Sequence, residues 1–175
     1  NNLPVDFIQF LEMDRTQTQD FLKKPDQPLD LIVPRGGERL INFVKEHAKC
    51  AVLVSGRGNN FLYVHKEADW KKSQEVIINA KTDKISACNA LDKVLIDTRI
   101  DGFAEKLEEL RKVLSKKDVS IVVDEKVKTI LKDEEVISDP SIWEEEFLAM
   151  KCVIGAVDNL DDAVQMINNH SGGHS

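Results

Sequence analysis

Short apolar runs of strand length alternate with amphipathic helical patterns along the whole chain, and this alternation constrains the fold more than any other feature. Periodicity and turn residues predict strands at residues 5–11, 29–33, 51–55, 61–64, 94–96, 119–123 and 152–157. They predict helices at residues 16–23, 38–47, 69–80, 102–114, 125–131 and 160–168. The last helix is predicted to turn four side chains inward, those of Leu160, Ala163, Val164 and Ile167. This order predicts an α/β fold of three layers with a mainly parallel sheet.

Composition narrows the functional class. The 175 residues are 42% hydrophobic and 31% charged, with a net charge of -7, as in an ordinary globular protein. No basic stripe or aromatic platform indicates a nucleic-acid partner. Charges interrupt every apolar run well before the roughly 20 residues that a membrane span needs, so no membrane partner is expected. The chain begins at Asn1 and ends in a polar segment, so we expect a fragment of a longer chain.

The three cysteines differ in their sequence surroundings. Their spacing matches neither a disulfide framework nor a metal site, so no metal is expected and a reducing, cytoplasmic compartment fits. Cys50 and Cys152 adjoin apolar runs and read as small hydrophobic residues. Cys88 has small or amide neighbours on both sides, with Lys81 and Lys84 within one loop. Local chemistry alone leaves two interpretations of Cys88 open, a reactive thiol and a packed loop residue.

Four segments, in order along the chain, carry a resemblance to a known family. They are residues 29–37 (LDLIVPRGG), 79–90 (NAKTDKISACNA), 143–148 (WEEEFL) and 167–175 (INNHSGGHS). These segments resemble the gamma-glutamyl phosphate reductases of the aldehyde dehydrogenase superfamily. The resemblance implies an aldehyde dehydrogenase-like fold. Residues 1–57 would end a cofactor-binding domain, and residues 58–175 would form a catalytic domain truncated at its C-terminal end.

The resemblance also implies a reaction. These reductases convert L-glutamyl 5-phosphate to L-glutamate 5-semialdehyde with NADPH, in proline biosynthesis. Cys88 would attack the acyl phosphate, and the resulting thioester would accept hydride. The Cys88 backbone N–H and the side chains of Asn79 and Asn89 are candidate donors to the oxyanion. Each asparagine has an alternative role in a turn or helix cap.

Substrate and cofactor contacts are predicted in the same way. Lys81 and Lys84 would lower the pKa of Cys88 or bind the phosphate, with ordinary solvated lysines as the alternative. His174 matches a family position near the active site, with a polar loop histidine as the alternative. The cofactor would bind at the turn between a strand and a helix, where a plain tight turn is the alternative. That turn consists of Pro34, Arg35, Gly36 and Gly37.

Some residues depart from the family pattern. Phe61 stands where a histidine is usual, Asp92 and Lys93 where Glu-Thr is usual, and Ala149 where an acid is usual. Substrate choice and rate therefore stay open. The rival hypotheses are another aldehyde dehydrogenase-like enzyme and a catalytically inactive scaffold domain. The family also suggests a homodimer and an encounter with glutamate 5-kinase, and we expect the isolated piece to be inactive.

Overall fold

The chain forms two compact units, Asn1–Ser55 and Gly56–Ser175. The structure is a computed structural model that describes Pro4 and residues 7–54 and 56–174, without the side chain of Glu38. The resemblance places the domain boundary after residue 57. The assignment of the units to cofactor and catalytic domains stays a prediction.

The first unit contains two helices and a two-stranded parallel sheet. Its elements are α1 (Arg15–Lys23), β1 (Leu31–Ile32), α2 (Glu38–His47) and β2 (Ala51–Val52), with β1 beside β2. The α1 helix begins at Asp14, whose carboxylate accepts from the Gln17 backbone N–H in a capping box. The strand predicted at residues 5–11 is wrong over residues 7–11, which pair with no strand among the described residues, and Phe10 is exposed. Val5 and Asp6 lie outside the described residues.

The second unit is built on a five-stranded parallel sheet with strand order β3-β4-β7-β5-β6. Its strands are β3 (Asn60–Val64), β4 (Leu91–Asp97), β5 (Ser120–Val123), β6 (Glu135–Val136) and β7 (Lys151–Val157). Its helices are α3 (Trp70–Thr82), α4 (Phe103–Ser115), α5 (Glu125–Lys128) and α6 (Leu160–His170), with a 3-10 turn at Pro140–Trp143. The predicted parallel α/β architecture is confirmed.

Both faces of this sheet are covered, and strand β4 is therefore buried along its whole length. Val94 and Ile96 pack into one apolar cluster that includes the buried leucines of α4, whereas Leu95 packs into a second cluster with Trp143 and Ala163. Each fully buried aliphatic side chain contributes roughly 1.5–3 kcal/mol, so these clusters dominate the stability of the unit. The three predicted layers are therefore present.

The inward face of α6 is narrower than the sequence pattern predicts. Ala163 is fully buried and Ile167 packs against the second cluster, but Leu160 and Val164 are about half exposed. The prediction that all four side chains turn inward is therefore wrong for two of them. Among the described residues, no helix is both long and apolar enough to cross a bilayer.

A polar network closes the carboxyl end of β4. The Asp97 carboxylate accepts hydrogen bonds from the Arg99 guanidinium at 2.9 and 2.8 Å and from the Tyr63 hydroxyl at 2.7 Å. The Arg99 hydrogen bonds, with that of Tyr63, hold the pKa of Asp97 well below its usual range. Burial and the Asp97 charge raise the pKa of Tyr63 to about 12. The network is stabilised while Asp97 carries its charge.

Candidate active site

Cys88 lies in the turn between α3 and β4, and its side chain is exposed. The Ala90 N–H donates to the Ala87 carbonyl at 2.9 Å, so Cys88 and Asn89 are the central residues of a β-turn. Cys50 is partly exposed and Cys152 is buried, and burial raises the pKa of the Cys152 thiol to about 12. Of the three thiols, Cys88 is the most accessible to a substrate.

Asn60 holds this turn from the neighbouring strand. Its side-chain N–H₂ lies 2.8 Å from each of the carbonyl oxygens of Gly58, Cys88 and Ala90. Parallel pairing sets Asn60 beside Leu91, so the amino ends of β3 and β4 share one edge of the sheet. Asn60 is 4% exposed, and three carbonyls satisfy its two N–H donors.

The residues around Gly58 pack closely against the same turn. A Cβ atom at Gly58 would lie 2.5 Å from the Glu146 Oε1 atom and 2.6 Å from the Cys88 carbonyl oxygen. Glu146 therefore lies beside the cysteine turn. Only glycine at position 58 permits this approach without displacing a neighbour.

Asn59 ties two further segments to the same edge. Its side-chain N–H₂ donates to the His170 carbonyl at 2.7 Å and the Trp143 carbonyl at 3.2 Å, and its oxygen accepts from the Gly172 N–H at 2.6 Å. His174 follows two residues later and is partly buried. The segment that leads to His174, a predicted substrate-binding residue, is thus anchored to Asn59. The turn that carries Cys88 is anchored to the adjacent residue Asn60.

The two lysines near Cys88 have different environments. The Lys81 ammonium is fully buried and lies 3.0 Å from the Asp92 carboxylate, whose other oxygen accepts from the Phe147 N–H at 3.1 Å. Lys84 is exposed in the loop. Because a buried, paired ammonium is poorly placed to meet a phosphate arriving from solvent, Lys84 is the better candidate for that role.

Lys93 is a second buried cation. Its Nζ atom donates to the Glu145 carbonyl and lies 4.3 Å from the Phe147 ring centroid and 6.0 Å from that of Phe61. Burial lowers the pKa of Lys93 from 10.5 to about 8, against the opposing charge of Asp92. Asp92 and Lys93 thus both hold the segment that carries Glu146.

The two predicted asparagines are both exposed. Asn79 lies in the last turn of α3, where its backbone carbonyl accepts from the Asp83 N–H at 3.0 Å. Asn89 follows Cys88 in the β-turn. Both side chains are therefore free of burial and accessible to a ligand.

The predicted cofactor turn belongs to the first unit. Pro34 to Gly37 follow β1, and Gly37 is the N-cap of α2 without any side-chain cap. Arg35 is exposed, and among the described atoms outside its chain neighbours none lies within 4 Å of a Cβ atom built on Gly37. An uncapped helix start with open space beside it and a nearby guanidinium is suited to an anion such as a cofactor phosphate.

Sequence reasoning missed Gly58, Asn59 and Asn60. A Gly-Asn-Asn run before a strand is a turn signal, but apart from the Gly58 carbonyl the hydrogen-bond partners of Asn59 and Asn60 lie 28 to 113 positions away. Among the described residues, no group of three or more His, Cys, Asp or Glu is arranged to hold a metal ion.

Comparison with known proteins gives a consistent family likeness. No protein-family model matches the chain. The chain is 33% identical over 175 residues to a gamma-glutamyl phosphate reductase of Clostridium botulinum, covering 100% of this chain and 42% of the relative. It is 34% identical over 176 residues to one of Listeria monocytogenes, covering 100% of this chain and 41% of the relative. The chain thus resembles these reductases along its full length but spans about two fifths of theirs.

Solved structures support the fold. The crystal structure of gamma-glutamyl phosphate reductase from Thermotoga maritima matches with a TM-score of 0.83 and 34% identity, over 91% of this chain and 38% of that one. An acetylating aldehyde dehydrogenase from Geobacillus thermoglucosidasius matches with a TM-score of 0.59 and 19% identity, over 91% of this chain and 42% of that one. The second likeness concerns the fold alone. The expected aldehyde dehydrogenase-like fold is confirmed.

Proposed function

We propose that the protein containing this chain reduces L-glutamyl 5-phosphate to L-glutamate 5-semialdehyde and phosphate, with NADPH, in proline biosynthesis. The observation that carries the proposal is the exposed Cys88 thiol. It lies in a turn that the Asn60 side chain holds by hydrogen bonds, within a chain that resembles the reductases along its full length. The reaction belongs to the whole protein, because this chain spans about two fifths of the relatives' length.

Cys88 is the nucleophile in this proposal. Its thiolate attacks the acyl-phosphate carbonyl, a carbon–sulfur bond forms, and the bond to the phosphate oxygen breaks as phosphate leaves. The nicotinamide cofactor supplies the hydride that reduces the thioester. Collapse of the resulting thiohemiacetal releases the aldehyde and regenerates the Cys88 thiolate. The exposure of Cys88 supports this role, since a buried thiol could not reach the substrate.

The tetrahedral intermediates carry an oxyanion that needs hydrogen-bond donors. We assign this role to the Cys88 backbone N–H and to the side chains of Asn79 and Asn89. The substrate's charged groups are assigned to Lys84 and His174. Lys81 is assigned an electrostatic effect on the turn that carries Cys88, exerted from its buried ion pair with Asp92. The exposure of Asn79, Asn89 and Lys84 supports these assignments.

The cofactor is assigned to the turn at Pro34, Arg35, Gly36 and Gly37. The start of α2 would bind a phosphate through its backbone N–H groups, and the Arg35 guanidinium would add charge. Residues 1–57 then complete a cofactor domain and residues 58–175 a catalytic domain. A cytoplasmic location, a homodimer and an encounter with glutamate 5-kinase belong to the same proposal through the family resemblance.

The test follows NADPH formation from NADP and glutamate 5-semialdehyde by the full-length protein, with and without phosphate. We expect activity that requires phosphate and that Cys88→Ala abolishes, whereas the matched control Cys50→Ala retains it. Activity without phosphate would instead assign the protein to another class of aldehyde dehydrogenase. No activity under any condition would favour the scaffold hypothesis.

A further inference from the structure

We infer that Asn60 is a positioning residue that fixes the Cys88–Asn89 peptide and so presents the Asn89 backbone N–H as a donor beside the thiol. The inference deepens the proposed function and rests on the role of Cys88 as nucleophile. It starts from the three hydrogen bonds that the Asn60 side chain makes at the amino edge of the sheet.

The direction of one carbonyl sets the direction of the next amide. The Cys88 carbonyl oxygen lies 2.8 Å from the buried Asn60 side chain and therefore points into the protein. In a planar trans peptide the carbonyl and the following N–H point in opposite directions. The Asn89 N–H consequently points away from Asn60, on the side where the turn is exposed.

That amide is available to a ligand. Asn89 is the second central residue of the β-turn that the Ala90 N–H closes on the Ala87 carbonyl. Within residues 56–174, neither the Cys88 N–H nor the Asn89 N–H donates a hydrogen bond to another protein group. Two successive free amides around a thiol are the arrangement that stabilises an oxyanion.

Asn60 is itself held firmly. Its neighbour Asn59 is fully buried and bonds the Trp143 and His170 carbonyls and the Gly172 N–H. On the other side, Gly58 packs against the Cys88 carbonyl so closely that no side chain fits. The amide of Asn60 therefore has a fixed position from which to hold the turn.

The chemistry of the amide explains why asparagine suits this position. It donates to carbonyl oxygens, whereas a leucine of similar size donates nothing and an aspartate would set negative charge against three acceptors. Loss of the donor would free the Cys88–Asn89 peptide to rotate. The Cys88 thiol would remain, but the Asn89 N–H would no longer be held in a fixed direction.

Two reactions of Cys88 separate positioning from simple reactivity. Acylation by p-nitrophenyl acetate passes through an oxyanion and needs the donors, whereas alkylation by iodoacetamide does not. We would measure both rates by mass spectrometry in the full-length protein for wild type, Asn60→Leu and the control Asn169→Leu, whose side chain is exposed on α6. The ratio of acylation to alkylation needs no assumption about the natural substrate, so it is informative even if the reductase assay fails.

We expect Asn60→Leu to lower the acylation-to-alkylation ratio by about 100-fold, the loss typical of one oxyanion donor. The control should leave it unchanged. In the reductase assay the same variant should lower kcat with little change in KM. An acylation-to-alkylation ratio within threefold of wild type in folded Asn60→Leu would overturn the inference.

A second variant keeps the inference testable if Asn60→Leu does not fold. Gly58→Ala retains Asn60 but presses a methyl group against the same Cys88 carbonyl. It should lower the acylation-to-alkylation ratio in the same direction, and an unchanged ratio would equally refute a role for the orientation of this peptide.

Discussion

Replacing Lys93 with methionine removes a charge that the second unit buries at a cost. Lys93 is fully buried, and its ammonium bonds the Glu145 carbonyl and faces the Phe147 ring. Burial lowers its pKa from 10.5 to about 8. At about 1.4 kcal/mol per pKa unit, the charged form costs the folded state about 3 kcal/mol relative to the unfolded chain.

The sign of the pH dependence follows from proton binding. Between pH 8 and 10.5 the unfolded chain holds the Lys93 proton and the folded chain has released it, so the free energy of unfolding rises with pH. Below pH 8 both states are protonated and this contribution is flat. From pH 7 to pH 9.5 the wild type should gain about 2 kcal/mol that Lys93→Met lacks.

Urea unfolding at pH 7 and pH 9.5, followed by tryptophan fluorescence, measures this difference. Lys116→Met is the matched control, because Lys116 is exposed at the end of α4. Groups that titrate in all three proteins cancel when each variant is compared with wild type. Equal pH dependence in wild type and Lys93→Met would refute the reasoning that burial lowers the pKa of Lys93.

Three further predictions concern other buried or exposed groups. Lys81→Met should destabilise the protein by about 3–5 kcal/mol in urea unfolding, because it leaves the Asp92 carboxylate buried without its partner, and Lys81→Met combined with Asp92→Leu should recover much of the loss. In native protein, iodoacetamide should modify Cys88 well before Cys152, because the thiol of Cys152 is buried; equal rates by mass spectrometry would contradict this. The stability that the Asp97 hydrogen bonds contribute should be present above about pH 4 and lost at lower pH; Asp97→Asn should flatten that acid dependence in thermal unfolding.

Sequence periodicity predicted the elements whose signals are local. The bounds of α2 match the predicted 38–47, and α4 differs by one residue at each end, because glycines precede both helices and a continuous apolar stripe follows. Strand β6 lies in an acidic stretch, and its two residues are too few to show periodicity, so the sequence did not predict it. Residues 7–11 are apolar except for Gln9 and have the composition of a strand, but a strand also needs a pairing partner, which periodicity does not report.

Buried charge is where sequence reasoning failed. Strand β4 begins at Leu91 rather than at the predicted residue 94, because Asp92 and Lys93 look like surface residues. Asp92 is buried through its pair with Lys81, and Lys93 through the Glu145 carbonyl 52 positions away. These partners, a lysine on α3 and a loop carbonyl, lie on other elements of the fold and leave no periodic trace in the sequence.

The candidate site was predictable to the same extent. Cys88 stands out by its small neighbours, which local sequence reveals. The residues that hold its turn, Gly58 and Asn60, do not stand out, since their contacts are made across the edge of the sheet. The residues that orient a nucleophile depend on which strands lie side by side, and the sequence predicted a parallel sheet without its strand order.

Three of the four departures from the reductase pattern, Phe61, Asp92 and Lys93, contact one segment. The Phe61 ring stacks on Trp143 with centroids 6.2 Å apart, Lys93 faces the Phe147 ring, and Asp92 accepts from the Phe147 N–H. All three hold the segment from Trp143 to Phe147, which brings Glu146 to Gly58. The turn that carries Cys88 is held separately, by Asn60. These departures therefore affect how Glu146 is placed beside Gly58, whereas the hydrogen bonds from Asn60 to the Cys88 turn involve none of the three residues.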